Sequence, residues 1–319
     1  MKKIIAVAAS VTSAVALASY AAYHRVFWCK KHGYRTPEIM KGEQYDAARP
    51  TMNALIAELE PIPYEEVYVR SSDGLRLFGR YYHVRDGAPL QIEFHGYHGN
   101  AIRDFCGGNK LAREMGHNTL IVDQRAHGNS EGRYTTLGIK ERDDCLRWIE
   151  WASARFGAQT PIIISGVSMG ASTVLSVADA ELPPNVCAIV ADCPFSSASD
   201  IISKVSADMH LPPWLALPFV ELGSRLWGGF SLSDNSPLDS VSRARLPILI
   251  IHGEDDRFVP HEMSKRIAAG SDKCELHLFP GAGHGLSFIV DGERYKNTVT
   301  EFIERALKEF EKQSIGDRK

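Results

Sequence analysis

The residues best suited to chemistry are a serine, an acid and a histidine that follow one another along the chain. A serine hydroxyl is a weak nucleophile, so it must project to a place where a base can reach it. The sequence Gly166-Val167-Ser168-Met169-Gly170 follows a run of strand-forming residues and precedes small residues that suit a helix. Such a strand–turn–helix connection would expose the Ser168 hydroxyl, and its glycines would allow close backbone approach. Ser168 is the candidate nucleophile, and the Met169 N–H at the helix N-terminus is a candidate donor to developing negative charge.

The acid and the histidine each follow a later strand-like run. "IIHGEDD" ends in Glu254, Asp255 and Asp256, and spacing alone does not choose among these three carboxylates. "FPGAGHG" places His284 among small residues that leave room around its ring. A histidine can take the serine proton, and a carboxylate can fix the histidine tautomer and stabilise the imidazolium.

A fourth stretch, "EFHGYHGNA", also follows a strand-like run. The loop that begins at His95 could offer the backbone N–H of Tyr97 as a second donor to an oxyanion. His95 and His98 could instead form a metal pair, but no carboxylate or cysteine at ligand spacing supports that reading. We expect His95 to hold the loop in place rather than to act on a substrate.

The elements that must position these residues can be read from hydrophobic patterning. Short, nearly continuous apolar runs alternate with helix-like stretches, which predicts an α/β fold with a mostly parallel sheet covered on both faces. An antiparallel hairpin in "EEVYVRSSDGLRLFGRYYHV" would occupy one edge of the sheet. The apolar runs cover residues 89–94, 118–123, 161–165, 187–192, 247–252 and 275–279, and the clearest helices cover 43–58, 140–156, 169–178 and 261–269.

The interval from about 194 to 245 interrupts this alternation. It contains short helical pieces rich in Pro, Trp and Phe and no strand pattern, so it predicts a small inserted helical cap. We expect most of its large apolar residues to pack the cap onto the core and one or two to face a binding cleft. These residues are Trp214, Leu215, Leu217, Phe219, Leu222 and Trp227.

Residues 1–30 are predicted to lie outside the globular domain, which would extend over about 43–313. The segment from Ile4 to Tyr23 carries no charge and is about long enough to span a bilayer, so a single N-terminal membrane anchor is expected. A cleaved signal peptide with a site near Ala16-Leu17-Ala18 is the main alternative, and a buried helix is another. The basic residues that follow outnumber Lys2 and Lys3, which favours a cytoplasmic domain without deciding the side of the membrane.

Composition excludes several classes of function. The net charge of −3 does not suit a nucleic-acid-binding surface. The six cysteines are scattered and form no CxxC pair, so neither a disulfide framework nor a zinc site is indicated. No cofactor and no metal are expected, and the oligomeric state cannot be read from the chain.

Together these motifs resemble the α/β-hydrolase superfamily, and most closely its bacterial esterase-like members with an N-terminal hydrophobic segment. The resemblance covers about Tyr64 to Glu311. It implies that the acid is Asp256, the fifth residue of HG-x-x-D-x-x-VP, and that Tyr97 and Met169 supply the oxyanion donors. The chain departs from the pattern in the bulk of Tyr97, whose ring would narrow the acyl pocket. The motifs are HG-x-x-GN at 95–100, "DQRAHGNSEG" at 123–132, GxSxG at 166–170, HG-x-x-D-x-x-VP at 252–260 and G-x-GHG at 281–285.

The predicted function is that of a carboxylesterase-type serine hydrolase. Ser168, His284 and Asp256 would form the catalytic triad, and a small-molecule ester would pass through an acyl-enzyme intermediate. A serine peptidase or an acyl-thioesterase on the same fold is the nearest alternative. A non-catalytic binding protein is an alternative of another class, although it would have no reason to carry all three residues. The resemblance gives "DQRAHGNSEG", with Arg125 and His127, a structural role beside the nucleophile.

Overall fold

A computed structural model of the chain describes residues 2–30, 39 and 42–316, and the side chains of residues 10–30, 39 and 42–313. Its centre is one eight-stranded sheet with the strand order β1-β2-β4-β3-β5-β6-β7-β8. The strands are β1 (Glu65–Arg70), β2 (Arg76–Tyr82), β3 (Leu90–Phe94), β4 (Asn118–Asp123), β5 (Ile162–Val167), β6 (Val186–Asp192), β7 (Ile248–Gly253) and β8 (Cys274–Phe279).

The sheet is mostly parallel, as the sequence predicts. β1 and β2 form the antiparallel hairpin at one edge, and β2 also pairs antiparallel with β4. From β4 to β8 all neighbouring strands are parallel. The central strands β3, β4 and β6 are buried along their whole length, which explains why they are apolar runs rather than alternating ones.

Helices cover both faces of this sheet, and these layers confirm the α/β-hydrolase fold class. The helices are α1 (Lys2–Phe27), α2 (Glu43–Leu59), α3 (Ala101–Glu114), α4 (Ile139–Phe156), α5 (Met169–Leu175), α6 (Ala198–Asp208), α7 (Pro213–Gly223), α8 (Pro237–Val241), α9 (Glu262–Ala268), α10 (Ser287–Val290) and α11 (Gly292–Gly316).

The connection between β6 and β7 is helical, in the interval where the sequence predicts a cap. It consists of α6, α7, a short π-helical turn at Ser224–Gly228, and α8. Pro213 begins α7 at a position where a missing N–H costs nothing. Of the six apolar residues singled out from the sequence, Leu215 and Phe219 line a cavity beside Ser168, whereas the Trp214 side chain is exposed.

The N-terminal helix is less apolar than the predicted membrane anchor requires. Among the residues that the structure describes, no helix is both long enough and apolar enough to span a membrane. α1 contains 26 residues, but many of them are alanine, and hydroxyl side chains such as Ser10, Thr12 and Ser13 lower its hydropathy further. The predicted transmembrane anchor is therefore not supported.

The second half of α1 also packs into the domain, although the sequence analysis places it outside. Tyr23 and Phe27 are buried in an apolar cluster with Phe195 from the cap side. Gly223 of α7 approaches α1 so closely that a Cβ there would lie 2.4 Å from the carbonyl oxygen of Ser19. Ser19, Tyr23 and Phe27 recur every four residues, so they share one face of the helix. That face is the packed face.

Candidate active site

Ser168 lies on a sharp turn between β5 and α5. Its φ of 55° is positive, which is uncommon for a residue other than glycine and marks a strained turn. The flanking glycines are required by backbone contacts. A Cβ on Gly166 would lie 2.2 Å from the carbonyl carbon of Gly170, and a Cβ on Gly170 would lie 1.8 Å from the carbonyl oxygen of Phe94. The turn therefore holds its shape only with glycine at both positions.

His284 and Asp256 continue from this serine in a chain of hydrogen bonds. The Nε2 atom of His284 lies 2.9 Å from Ser168 Oγ, and its Nδ1 atom lies 2.6 Å from Asp256 Oδ2. Glu254 and Asp255, the acids that spacing alone left open, are exposed. The geometry can therefore move a proton from the serine hydroxyl to a histidine whose tautomer is held by a carboxylate.

Asp256 is held as a buried carboxylate by several donors. Its Oδ1 atom accepts the backbone N–H groups of Phe258 at 2.9 Å and Val259 at 2.8 Å. Burial acts to raise the pKa of Asp256, but hydrogen bonds from His252 and His284 outweigh it and hold the pKa well below its usual range. Asp256 is therefore ionised at neutral pH, and its carboxylate faces the Nδ1 atom of His284.

His252 is a positioning residue to which the sequence analysis gave no role. Its Nε2 atom lies 2.9 Å from the Val259 carbonyl oxygen and 3.1 Å from Asp256 Oδ2, so Nε2 carries the proton. Its Nδ1 atom then accepts from Ser264 Oγ at 2.6 Å. The available signal in the sequence was that His252 is the first residue of the HG-x-x-D motif, four residues before the acid.

The loop after β3 passes directly beside the nucleophile. A Cβ on Gly96 would lie 3.3 Å from the Cβ of Ser168, so Tyr97 begins at the wall of the site. Asp104 of α3 holds this loop by accepting the Gly96 N–H at 2.9 Å. Met169 is the first residue of α5, and its backbone therefore lies at a helix N-terminus. Both predicted oxyanion donors thus belong to segments that border Ser168.

Tyr97 connects this loop to the N-terminal helix. Its hydroxyl donates to the backbone carbonyl of Val26 at 2.7 Å, and its ring stacks on that of His98. Burial raises the pKa of Tyr97 to about 12, so the hydroxyl keeps its proton and remains a donor. The position of α1 is therefore tied to the loop that borders the nucleophile.

His95 and His127 are buried parts of the scaffold. His95 Nε2 accepts the Gln124 N–H at 3.0 Å, which leaves Nδ1 to donate to the Gly96 carbonyl at 2.8 Å. His127 Nε2 accepts the His98 N–H at 3.1 Å. Burial lowers the pKa of both rings, that of His127 to about 3, so both are neutral. These bonds hold the two loops in place, as the sequence predicts for His95.

One group of potential metal ligands occurs among the described residues. The ligand atoms of Cys193, Asp256 and His284 all lie within 4.8 Å of one another. Asp256 and His284 already bond each other, and burial raises the pKa of the Cys193 thiol well above its ordinary value, which disfavours the thiolate that a metal needs. The arrangement suits a hydrogen-bonded pair better than a metal site.

Two cavities meet at the nucleophile, and Ser168, Tyr97 and Phe258 line both of them. The first has a volume of about 500 Å³ and lies between α1, α6 and α7; we call it the cap chamber. The second has a volume of about 440 Å³ and lies between α2, α3, α10 and the carboxyl ends of the strands; we call it the sheet chamber. Both volumes are in the usual range for ligand sites, roughly 300–1,000 Å³.

Sequence reasoning missed the residues that support the site from distant parts of the chain. Tyr45 of α2 donates its hydroxyl to the His284 carbonyl oxygen at 3.1 Å across a separation of 239 residues. Ala22 and Val26 of α1 line the cap chamber. No local pattern in the sequence predicts such contacts. The one signal that could have been used is the four-residue spacing of Ser19, Tyr23 and Phe27, which puts these residues on one face of a helix.

Relatives of known sequence and structure share this architecture. The chain is 26% identical over 306 residues to the uncharacterised protein YqkD of Bacillus subtilis, covering 95% of this chain and 98% of that protein. It is 26% identical over 212 residues to the lysophosphatidylserine lipase ABHD12 of Danio rerio, covering 61% of this chain and 52% of that protein. The solved structure of the Pyrococcus furiosus esterase Pf2001 matches with a TM-score of 0.62 at 25% identity, covering 86% of this chain and 99% of that one.

A family model gives the broader assignment. The model of the prolyl oligopeptidase family, Peptidase_S9, matches residues 110–310, which include Ser168, Asp256 and His284. This match covers more than half of the chain and agrees with the eight-stranded sheet and its flanking helices. The protein therefore belongs to the prolyl oligopeptidase family within the α/β-hydrolase superfamily, and it is a hydrolase.

Proposed function

We propose that this hydrolase cleaves carboxylic esters through a Ser168–His284–Asp256 triad. The observation that carries the proposal is the continuous hydrogen-bonded chain from Ser168 Oγ through both ring nitrogens of His284 to Asp256. A non-catalytic binding protein would gain nothing from a nucleophile held on a strained turn within 2.9 Å of a base.

The proposed reaction has two steps. His284 Nε2 takes the proton of Ser168 as Oγ attacks the ester carbonyl carbon, and the N–H groups of Tyr97 and Met169 hold the oxyanion. The tetrahedral intermediate collapses, the alcohol leaves with the proton from Nε2, and an acyl-Ser168 ester remains. Water then attacks this ester with His284 as the base, which releases the acid and restores the serine. No cofactor enters either step.

The cap chamber supplies the proposed binding site for the acyl group. Apolar side chains of α6 and α7, among them Ile202, Val205 and Phe219, form its walls together with Ala22 of α1. Hydrocarbon surface buried there gains roughly 25 cal/mol per Å². Substrates with an apolar acyl chain of several carbons are therefore favoured over acetate esters.

A fluorophosphonate probe tests the nucleophile. We expect the wild-type protein to be labelled and Ser168→Ala to lose labelling completely. Ser287→Ala is the matched control, because Ser287 is also a buried serine but lies outside the hydrogen-bonded chain. Undiminished labelling of Ser168→Ala would refute the assignment.

A side-by-side assay separates ester cleavage from the alternatives. A p-nitrophenyl ester, the corresponding thioester and a dipeptide amide with a matched acyl group are offered to the same preparation. We expect kcat/KM to be largest for the ester. A preference for the amide would favour a peptidase, in line with the name of the family, and a preference for the thioester would favour a thioesterase.

Contact with a membrane surface through the N-terminal segment is a further part of the proposal. Val11, Leu17 and Tyr20 of α1 have exposed side chains. The ring of Trp227, which belongs to the cap, contacts the ring of Tyr20. Aromatic and apolar side chains of this kind partition to a bilayer interface. Flotation of the full chain with lipid vesicles tests it, and retention of Leu17→Glu/Trp227→Glu on the vesicles would count against these residues.

A further inference from the structure

The two chambers differ in their relation to His284. His284 and Gly285 line the sheet chamber, whereas the cap chamber reaches Ser168 without contact with either residue. In ester cleavage the leaving alcohol oxygen takes its proton from His284 Nε2. The alcohol part of the substrate therefore extends towards the sheet chamber and the acyl part towards the cap chamber. This inference rests on the proposed esterase function.

The sheet chamber contains a buried carboxyl group that the triad does not use. Asp192, the last residue of β6, lines this chamber and is 5% exposed. Its Oδ1 atom has no hydrogen-bond partner among the described residues, and Tyr295 donates to the same carboxyl group. A buried polar atom without a partner is costly unless water or a ligand completes it. Asp192 is thus placed to accept a hydrogen bond from a bound molecule.

The charges around this carboxyl group select among possible ligands. Arg103 lines the chamber but is paired with Asp104, with 2.6 Å between Arg103 Nε and Asp104 Oδ1. Burial raises the pKa of Asp192 to about 6, so at neutral pH it is mostly ionised and adds a negative charge. Glu93 lies close enough to Tyr295 to influence it, but burial raises the pKa of Glu93 well above its usual range and favours its neutral form. An anionic group such as a phosphate would meet net negative charge here.

We propose that Asp192 binds a hydroxyl group of a neutral, polyhydroxylated alcohol in the sheet chamber. The substrate class is then an ester between an apolar acyl chain and a neutral polyol such as glycerol. Apolar side chains, among them Leu55, Phe105 and Phe288, also line the chamber and can pack against the carbon skeleton of such an alcohol. Asp192 acts as a specificity-determining residue for the alcohol and takes no part in proton transfer.

The test compares three substrates that share one acyl chain: 1-decanoylglycerol, ethyl decanoate and 1-decanoylglycerol 3-phosphate. For the wild-type full chain we expect kcat/KM to be highest for the glyceryl ester. In Asp192→Ala the ratio of kcat/KM for glyceryl over ethyl ester should fall about 10-fold, because a hydrogen bond to a charged group is lost. The loss should appear mainly as a higher KM for the glyceryl ester.

Glu93→Gln is the matched control, since Glu93 is another buried acid whose Oε2 atom has no partner among the described residues. In Glu93→Gln the ratio of kcat/KM for glyceryl over ethyl ester should stay within about twofold of wild type. A variant that only perturbs the fold should likewise change this ratio by no more than about twofold. An unchanged ratio in Asp192→Ala overturns the role of Asp192. A wild-type preference for the phosphate ester overturns the neutral polyol, and this holds even if Asp192→Ala fails to fold. Absence of turnover on all three esters points instead to failure of the proposed esterase function.

Discussion

The cap chamber and the sheet chamber open onto the same serine but are built from different parts of the molecule. The cap chamber lies between α1 and the helices inserted after β6, and Arg25 is the only acidic or basic residue among the described residues that line it. The sheet chamber lies against the carboxyl ends of β5 and β6 and contains Arg103, Asp104 and Asp192. Of these charged residues, Asp192 ends β6, whereas Arg103 and Asp104 lie in the first turn of α3. Under the proposed function, this difference separates the binding of an acyl chain from the recognition of an alcohol.

The largest effect is expected from the loss of Ser168, which lines both chambers. Ser168→Ala should lower kcat by at least about 10³-fold for every ester, whichever chamber its bulk occupies. The measurement is steady-state turnover of ethyl acetate, ethyl decanoate and decanoylglycerol. If one of these esters kept wild-type turnover in Ser168→Ala, a second nucleophile would serve it and the chambers would not meet at a common serine.

Filling the cap chamber should affect one class of substrate only. Ala22→Phe places a ring in the acyl site, so kcat/KM for ethyl decanoate should fall about 30-fold while that for ethyl acetate changes little. Ala21→Phe is the matched control, because Ala21 is exposed and does not line the chamber. An equal loss for acetate and decanoate esters would show that α1 does not form an acyl site.

Asp192 in the sheet chamber should make the free energy of unfolding depend on pH. Because the pKa of Asp192 is raised by burial to about 6, this residue binds more protons in the folded protein than in the unfolded chain between about pH 4 and pH 6. The contribution of Asp192 to stability is therefore lost as the pH rises through this window. Asp192→Asn should gain about 2 kcal/mol over wild type between pH 4 and pH 7, measured by urea unfolding.

Glu93 and Asp144 are also buried acids with raised pKa values, so both proteins must be compared at each pH. The titratable groups that face Asp192 include Tyr295, His252, His284, Asp256 and Cys193, and all of them are present in both proteins. A constant stability difference across the pH range would contradict a buried, titrating Asp192.

The smallest effect is expected from the hydrogen bond that joins Tyr97, which lines both chambers, to α1. Tyr97→Phe removes the hydrogen bond from the tyrosine hydroxyl to the Val26 carbonyl oxygen, which should cost about 1 kcal/mol of unfolding free energy. We also expect about a threefold loss of kcat/KM for decanoate esters. Tyr81→Phe controls for the loss of a tyrosine hydroxyl elsewhere, since Tyr81 lies on β2 away from both chambers. A larger effect in Tyr81→Phe would remove the special status of this bond.

Sequence reasoning predicted the sheet well because its strands are local patterns. The run Asn118–Asp123 is β4 to the residue, and the hairpin at the sheet edge is present as predicted. The strand–turn–helix around Ser168 was predictable because two glycines and a serine carry it within five residues. Choosing Asp256 among three acids required resemblance to a family, since all three follow the same strand.

The chambers were not predictable in this way because their walls come from residues far apart in the chain. Tyr23 packs with Phe195, and Tyr45 bonds the backbone of His284. The charge-free run from Ile4 to Tyr23 suggested a membrane span, although its hydropathy does not reach that of a spanning helix. When a weakly apolar helix packs against a domain, the only sign of this in the sequence is the four-residue spacing of the residues on its packed face.

The hydrogen bond between Tyr97 and Val26 has a consequence for shortened versions of the protein. A chain trimmed to begin after residue 30, as is common when a leading apolar segment hinders expression, would lose the acceptor of the Tyr97 hydroxyl. It would also uncover Phe195 and open one side of the cavity beside Ser168. Under the proposed function, assays on such a trimmed protein would report a looser acyl preference than assays on the full chain. The first thirty residues therefore belong in any preparation used to assign a substrate.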